Sequence, residues 1–185
     1  MEQELQHIID GCKAYTATQQ EALYNYCYPQ MFTVCERYTN NRDDAAAIYN
    51  EAMLKVLSNI EKYEYKGAFM GWVRRIMVNT CIDHCRKQTS YIVQEIDEKY
   101  EELMYISSDI ENKISSEEII QLIQALPKNT SVVFNLYAIE GYKFDEISTA
   151  LNITIGTAKW HVSEARKTLK QQLQHYTKKA TIANG

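Results

Sequence analysis

Two segments of the chain concentrate positive charge, and cationic side chains are what a protein needs to hold the phosphates of a nucleic acid. Residues 66–88 carry Lys66, Arg74, Arg75, Arg86 and Lys87 against a single acidic residue, Asp83. Residues 156–185 carry Lys159, Arg166, Lys167, Lys170, Lys178 and Lys179 against a single acidic residue, Glu164. Each segment therefore predicts a contact with nucleic acid.

The second basic segment overlaps the most specific pattern in the chain, residues 142–162. A short helix with Ile147 facing inward, a turn at Asn152, where left-handed backbone is tolerated, and a new cap at Thr154 predict a helix-turn-helix. The predicted DNA contacts of its second helix are Thr157, Lys159, Trp160, His161, Ser163, Arg166, Lys167 and Lys170. For Trp160 a place in the core is favoured. The alternative is an ordinary basic helix in a three-helix bundle, but the concentration of charge favours DNA binding.

The five cysteines do not predict a metal site, although Cys81 and Cys85 share a helix face. His84 lies between them on another face, and no fourth ligand is evident, so small buried core residues are the better interpretation. The odd cysteine number and the absence of a CxxC pair predict reduced thiols in a cytoplasm. We expect no metal and no cofactor.

The elements that must position these residues are predicted to be helices throughout, because prolines and glycines are few and apolar residues recur three and four apart. The first helix is expected to begin at Thr18, capped with Glu21 as its partner. A capped break at 40–44 precedes a second helix, and a third runs from Phe69 to Arg86. The inner side of the second helix is predicted to hold Ala47, Ile48, Ala52, Leu54, Val56, Leu57 and Ile60.

The charge distribution divides the chain. The formal net charge is −4, yet residues 89–118 carry net −7 and residues 119–185 net +4. We predict an N-terminal domain over 1–88, an acidic linker over 89–114, the helix-turn-helix domain over 115–176 and a tail over 177–185. In the last domain, Ser115 and Glu118 form a predicted capping box, and Pro127 suits the first turn of the next helix, which ends at Gly141.

Several classes of protein are excluded by what the sequence lacks. It has no apolar run of about 18 residues and no signal peptide, so we expect a cytoplasmic protein without a membrane span. It also shows no phosphate-cradling glycine loop, no nucleophile elbow and no cluster of metal ligands, which argues against an enzyme.

Taken together, the two halves resemble a known family. Residues 50–56, 69–79 and 82–86 are similar to the promoter-melting domain of bacterial RNA polymerase sigma factors, and residues 126–173 resemble their upstream-element-reading domain. The short length matches the extracytoplasmic-function (ECF) group. The resemblance implies a transcription initiation factor whose partners are promoter DNA and core RNA polymerase, through its β′ clamp and β flap. Control by an anti-sigma factor stays open.

The resemblance also implies roles for individual residues. Asn79 would hold a flipped base of the non-template strand, while Trp72 and Phe69 are more typical of core positions than of base stacking. The further DNA contacts implied in this domain are Arg74, Arg75, Asp83, Arg86 and Lys87. The implied polymerase-binding residues are Asn50, Glu51, Leu54, Lys55 and Ser58.

Departures from the family pattern leave the promoter sequence open. Trp160, His161 and Glu164 stand where small polar or basic residues are typical, and Lys143 stands at a cap position although it cannot accept a hydrogen bond. Two other classes of function remain: a stand-alone regulator with an N-terminal dimerisation or signalling domain, and a helical module that sequesters another regulator.

Overall fold

The computed structural model describes residues 2–88 and 115–183. The chain divides into two compact units, Met1–Gln88 and Thr89–Gly185. Every regular element in the described ranges is helical, which confirms the predicted all-α class. The predicted acidic linker, 89–114, lies outside the described residues.

The N-terminal unit is built from four α-helices and one short 3₁₀ turn. They are α1 (Glu2–Lys13), α2 (Ala17–Glu36), α3 (Arg42–Ser58), the 3₁₀ turn (Ile60–Lys62) and α4 (Phe69–Gln88). Helix α1, which lies before the first predicted helix, packs on α2 and buries Ile8, Ile9 and Cys12. The predicted third helix is confirmed as α4.

The helix starts in this unit match the prediction in one case and not in the other. The N-cap of α2 is Thr16, so the predicted cap at Thr18 with Glu21 as its partner is wrong. The cap of α3 is confirmed, because Asn41 Oδ1 accepts a hydrogen bond of 2.7 Å from the backbone N–H of Asp44. This bond satisfies one of the donors that a helix start leaves unpaired.

The core of this unit lies where α2, α3 and α4 meet. Fully buried side chains from all three helices fill it, including Leu23, Val34, Tyr49, Ala52, Val56, Val73 and Met77. Tyr49 packs edge-on against Tyr24 and Tyr28 and donates a hydrogen bond of 2.7 Å to the backbone oxygen of Tyr24. All five cysteines are free and buried, as predicted. The inward placement predicted for Ala47 and Leu54 is wrong, because both are exposed.

Within residues 115–183, the C-terminal unit has four α-helices and a π-helical turn. They are α5 (Ser116–Gln124), α6 (Lys128–Phe134), the π turn (Asn135–Ile139), α7 (Phe144–Leu151) and α8 (Ile155–Ala183). The capping box of Ser115 and Glu118 is confirmed, with bonds of 3.2 and 2.8 Å. Pro127 is the N-cap of α6 and thus lies just before the first turn rather than in it. The backbone of Gly141 has φ +74°, a conformation that glycine adopts without strain, and it ends this helical stretch.

The helix-turn-helix is confirmed by the geometry between α7 and α8. Asn152 adopts the left-handed conformation, with φ 54° and ψ 49°. Thr154 Oγ1 accepts a hydrogen bond of 3.0 Å from the backbone N–H of Thr157, so the predicted cap is present. Ile147 on α7 and Ala158 on α8 are fully buried, which fixes the two helices against the rest of the unit.

The turn at Asn152 yields a test of local stability. A side chain with a Cβ costs about 1–2 kcal/mol in left-handed backbone, and asparagine avoids part of this cost. We expect Asn152→Ala to speed amide hydrogen exchange in α7 and α8 severalfold, whereas Asn152→Gly leaves it near the wild-type rate. Equal acceleration by both variants would contradict a left-handed turn.

Candidate nucleic-acid interface

An open cleft of about 450 Å³ lies between the C-terminal part of α3, the 3₁₀ turn and one face of α4. Its walls mix cationic, amide, hydroxyl and apolar groups. The lining residues are Lys55, Asn59, Lys62, Trp72, Ile76, Asn79, Thr80 and Asp83. A cleft of this size can hold a small organic group, because ligand sites commonly measure about 300–1,000 Å³.

The α4 side of the cleft brings together an amide and an aromatic ring. Asn79 is exposed at the cleft, where its amide can both donate and accept hydrogen bonds. Trp72 is only half-buried and lines the cleft, so the preference for a core position is wrong for this residue. Ile76, also half-buried, lines the cleft beside it. Phe69 is 5% exposed and occupies the core as predicted. Its ring packs against that of Trp72, with centroids 5.7 Å apart.

Lys55 connects α3 to α4 across the cleft. Its ammonium group lies 2.9 Å from Glu51 Oε1, 3.2 Å from Thr80 Oγ1 and 3.7 Å from Asp83 Oδ2. The hydrogen bond from Lys55 lowers the pKa of Glu51. Because these charges are partly exposed to water, the pairs contribute little stability, typically about 0–1 kcal/mol. Lys55 therefore faces the cleft and the charges around it.

Asn59, Lys62 and Thr80 line the cleft with polar groups that were not among the predicted contacts. Asn59 Nδ2 donates to the backbone oxygen of Lys55 at 2.8 Å, and Asn59 Oδ1 accepts from Lys62 Nζ at 2.7 Å. Thr80 Oγ1 bonds the backbone oxygen of Ile76 at 2.9 Å. Asn59 and Lys62 belong to the connection after α3, and the sequence offers no period there that would assign them to a face.

The predicted phosphate contacts on α4 divide between two sides of the helix. At 100° per residue, Arg75 and Arg86 fall beside Asn79, and Lys87 falls beside Ile76. All three of these cations are exposed. Arg74 falls on the opposite side of the helix and is half-buried, so the structure does not bring it to the cleft.

The predicted polymerase-binding residues form one stripe along α3. Asn50, Leu54 and Ser58 are exposed, and Leu54 is the most prominent, with 66% of its surface accessible. Tyr24 donates a hydrogen bond of 2.8 Å to Asn50 Oδ1, which fixes that amide. A leucine exposed to this degree has an apolar surface that a partner protein can cover.

The cysteines near α4 take part in packing. Hydrogen bonding with Cys35, together with burial, raises the pKa of Cys81, so this thiol stays protonated at neutral pH. Cys85 is also buried, which confirms the interpretation of both residues as core. Within 2–88 and 115–183, no group of three or more histidine, cysteine or acidic side chains has the arrangement of a metal site.

The outer face of the helix-turn-helix carries most of the predicted contacts on α8. Lys159, Arg166 and Lys170 are exposed, and Ser163 between them is half-buried. Their spacing of three, four and seven residues places them on one side of the helix. Lys167 is exposed at the edge of this side. Thr157 lies away from it, and its hydroxyl is 2.9 Å from that of Thr154.

Two aromatic rings support the cations of this face. Tyr137 and Phe144 stack with centroids 4.5 Å apart and planes within 15°. Lys159 Nζ lies 6.0 Å from the Phe144 centroid, and the guanidinium carbon of Arg166 lies 5.7 Å from the Tyr137 centroid. Cation–π attraction at such distances is worth about 0.5–1 kcal/mol at exposed sites, enough to bias the orientation of a long side chain.

His161 is not on the outer face, which corrects its predicted outward position. The ring is half-buried, and Nδ1 lies 3.0 Å from Oγ1 of the buried Thr130 on α6. Burial lowers the pKa of His161. The side chain is therefore neutral at pH 7 and does not add to the positive charge. Trp160 is also half-buried, and its ring packs edge-on against that of His161 at 4.9 Å.

Both candidate surfaces lie in segments that match one protein family. Residues 23–91 match sigma-70 region 2, and residues 116–169 match sigma-70 region 4. The first match contains the cleft, and the second contains the helix-turn-helix. The ECF RNA polymerase sigma factor SigW of Bacillus subtilis is 26% identical over 156 residues, which are 78% of this chain and 83% of that protein. The chain belongs to the ECF group of the sigma-70 family.

Further relatives agree with this family. RNA polymerase sigma factor SigV of Bacillus subtilis is 29% identical over 136 residues, 74% of this chain and 80% of that protein. The sigma factor RpoE of Bartonella quintana, solved in complex with the anti-sigma factor NepR, shares the fold with a TM-score of 0.50 at 18% identity, over 83% of this chain and 96% of that one. In the part of this ECF protein that the structure describes, no helix has the length and apolar character to span a membrane.

The half-buried position of His161 predicts how the stability of the C-terminal unit depends on pH. Its folded-state pKa is lowered from 6.5, so the unfolded chain binds a proton more readily than the folded unit. The contribution of neutral His161 to the free energy of unfolding is fully present above pH 6.5. It is lost as the pH falls below that value, because protons then bind the unfolded chain more tightly. We expect His161→Gln to reduce this acid sensitivity, measured as unfolding temperature between pH 8 and pH 5.5. An NMR titration of the His161 ring with a midpoint at or above 6.5 would contradict this account.

Proposed function

We propose that this chain is an ECF sigma factor that directs core RNA polymerase to specific promoters and initiates transcription there. The observation that carries the proposal is the presence of two chemically different nucleic-acid surfaces in one chain. One is the cleft of the region 2 unit, which suits an unpaired base. The other is the helix-turn-helix of the region 4 unit, which suits duplex DNA. Promoter recognition followed by strand opening requires both.

The cleft has the groups that recognition of an unstacked base requires. Base recognition outside the helix depends on hydrogen bonds to the base edge, a surface for stacking and cations for the backbone. We assign the base edge to Asn79 and the stacking surface to Trp72, which line the same cleft. Arg75, Arg86 and Lys87 then contact phosphates, which adds affinity but little sequence information.

The helix-turn-helix would read the upstream promoter element in the major groove. Lys159 lies near the N-terminal end of α8, the end that contacts base edges in this motif. Arg166 and Lys170 lie further along the same side and are assigned to phosphates. The half-buried His161 has no direct role in this assignment, and its part is to hold α8 against α6 through Thr130.

The protein partner of the region 2 unit would be the β′ clamp of core RNA polymerase, with Leu54 as the apolar anchor and Asn50, Glu51, Lys55 and Ser58 around it. The region 4 unit would bind the β flap. The chain acts in the cytoplasm, as a specificity subunit rather than an enzyme. The sigma factor RpoE of Bartonella quintana, which shares this fold, is solved in complex with the anti-sigma factor NepR, and a protein of that kind is a candidate regulator of this chain.

The assignment of Asn79 gives a direct test of promoter opening. Asn79→Ala removes a hydrogen-bonding partner of the base. We expect the free energy of open-complex formation to become less favourable by about 1–3 kcal/mol, so that its equilibrium constant falls roughly 5-fold to 150-fold. Binding to core polymerase is expected to stay unchanged. The measurement is permanganate footprinting of a promoter selected by run-off transcription of genomic fragments with reconstituted polymerase.

The matched control is Asn40→Ala, which truncates an exposed asparagine in the connection between α2 and α3. This variant is expected to open the promoter like the wild type. Open-complex formation that Asn79→Ala leaves unchanged would contradict the assigned base contact. A chain that binds promoter duplex tightly by itself and never directs core polymerase would instead be a stand-alone regulator.

The exposed position of Leu54 gives a test of polymerase binding. Because Leu54 contributes little to the core, Leu54→Ala should change the free energy of unfolding by less than about 0.5 kcal/mol. Loss of an apolar anchor at an interface costs 2 kcal/mol or more, so we expect the dissociation constant with core polymerase to rise by about 30-fold. Fluorescence anisotropy of labelled protein measures it. Asn79→Ala is the control, and equal affinities of the two variants for core polymerase would refute the assigned interface.

A further inference from the structure

One wall of the cleft is formed by the connection between α3 and α4, residues 59–68. Asn59 and Lys62 of this connection line the cleft directly. Tyr63 is buried and supports Trp72 from behind, with ring centroids 5.5 Å apart. The shape of the cleft therefore depends on where this connection is held.

Burial does not fix the whole connection. Residues 64–68 are all exposed, so their position depends on polar contacts and backbone conformation. Tyr65 adopts left-handed backbone with φ 56°. A residue other than glycine is strained in this conformation, and the strain persists only where the surroundings hold it. Tyr65 packs edge-on against the Tyr63 ring of the same connection, with centroids 5.1 Å apart. Its hydrogen bond and its cation–π contact come from α1.

Four contacts join α1 and the turn after it to this connection. Tyr65 donates a hydrogen bond of 2.6 Å to Asp10 Oδ1, and Lys13 Nζ lies 4.2 Å from the Tyr65 ring centroid. Lys13 Nζ also donates to the backbone oxygen of Tyr63 at 2.9 Å. Tyr15 donates a hydrogen bond of 2.8 Å to Glu61 Oε1. The contacted residues of the connection are Glu61, Tyr63 and Tyr65. All three lie close in sequence to the cleft residue Lys62.

The helix α1 can act as a fixed support because it is itself anchored. Ile9 and Cys12 are almost completely buried. Gly11 packs so closely on α2 that a Cβ there would lie 2.3 Å from the Gln19 side chain. The match to sigma-70 region 2 begins only at residue 23, so α1 lies outside it.

We infer that Asp10 and Lys13 of α1 are positioning residues for the base cleft, which they act on by holding Tyr63 and Tyr65. The inference rests on the proposed function of the cleft. It assigns to the first residues of the chain a part in base discrimination, although none of them lines the cleft. Loss of the contacts would let the wall that carries Asn59 and Lys62 shift. The cleft would then discriminate less between the four bases.

The test compares base discrimination by reconstituted polymerase that carries full-length variants. A promoter library with each downstream-element position varied is transcribed, and discrimination is the ratio of run-off yields for the preferred and least preferred base. The relevant position is the one whose preference Asn79→Ala abolishes. We expect Tyr65→Phe and Lys13→Met each to lower this ratio about threefold to tenfold, the effect of losing one hydrogen bond. Affinity for core polymerase and unfolding temperature should stay near the wild-type values.

The matched control is Tyr26→Phe, which removes a hydroxyl from an exposed tyrosine of α2 and should leave the ratio unchanged. A fall in yield that is equal for all bases would show a purely structural role for α1 and overturn the inference. The same holds if Asn79→Ala abolishes a preference that Tyr65→Phe and Lys13→Met both retain. If Asn79→Ala changes no preference, the assigned function of the cleft fails, and the positioning role fails with it.

Discussion

Burial of one face of α4 is the constraint on which the rest of the N-terminal unit depends. Val73, Met77 and Cys81 recur every four residues and are completely buried. Fully burying side chains of the size of Val73 and Met77 stabilises the fold by about 1.5–3 kcal/mol each, whereas the exposed ion pairs of Lys55 contribute about 0–1 kcal/mol. The core therefore fixes the rotation of α4. With that rotation fixed, the helical period leaves Trp72 and Asn79 at the cleft.

Burial of apolar side chains also fixes a helix, α8, in the C-terminal unit. Ile147, Ala158 and Ala165 are completely buried and lock α8 against the unit. The opposite side of α8 then presents Lys159 and Arg166 to solvent. The stacked rings of Tyr137 and Phe144 limit the directions in which these cations point, so less conformational entropy would be lost in the DNA contacts that we propose for them.

Much of the fold and of the two candidate surfaces could be predicted from the sequence, because charge segregation, helical period and caps are local properties. The caps at Asn41, Ser115 and Thr154 and the left-handed Asn152 are examples. Errors arose where an apolar or polar residue type contradicts its environment. Leu54 looks like a core residue because it is apolar, yet it lies on an exposed face.

Non-local contacts account for the remaining differences. His161 looks like a surface residue because it is polar, yet Thr130, thirty-one residues earlier, satisfies its ring nitrogen. The contact between Asp10 and Tyr65 spans fifty-five residues, and no periodicity in either segment announces it. The cleft itself joins residues from α3, the 3₁₀ turn and α4, so only the tertiary structure shows that Asn59 and Lys62 belong beside Asn79.

In the function that we propose, the cleft captures one unpaired base of the opened promoter. Photo-crosslinking tests it most directly, with 5-iodouracil placed singly along the non-template strand of an open complex and the crosslinked residue identified by mass spectrometry. We expect that one strand position crosslinks to Trp72 and that the same position in closed duplex does not. Crosslinks confined to the C-terminal unit, or equal crosslinking of open and closed DNA to Trp72, would contradict it.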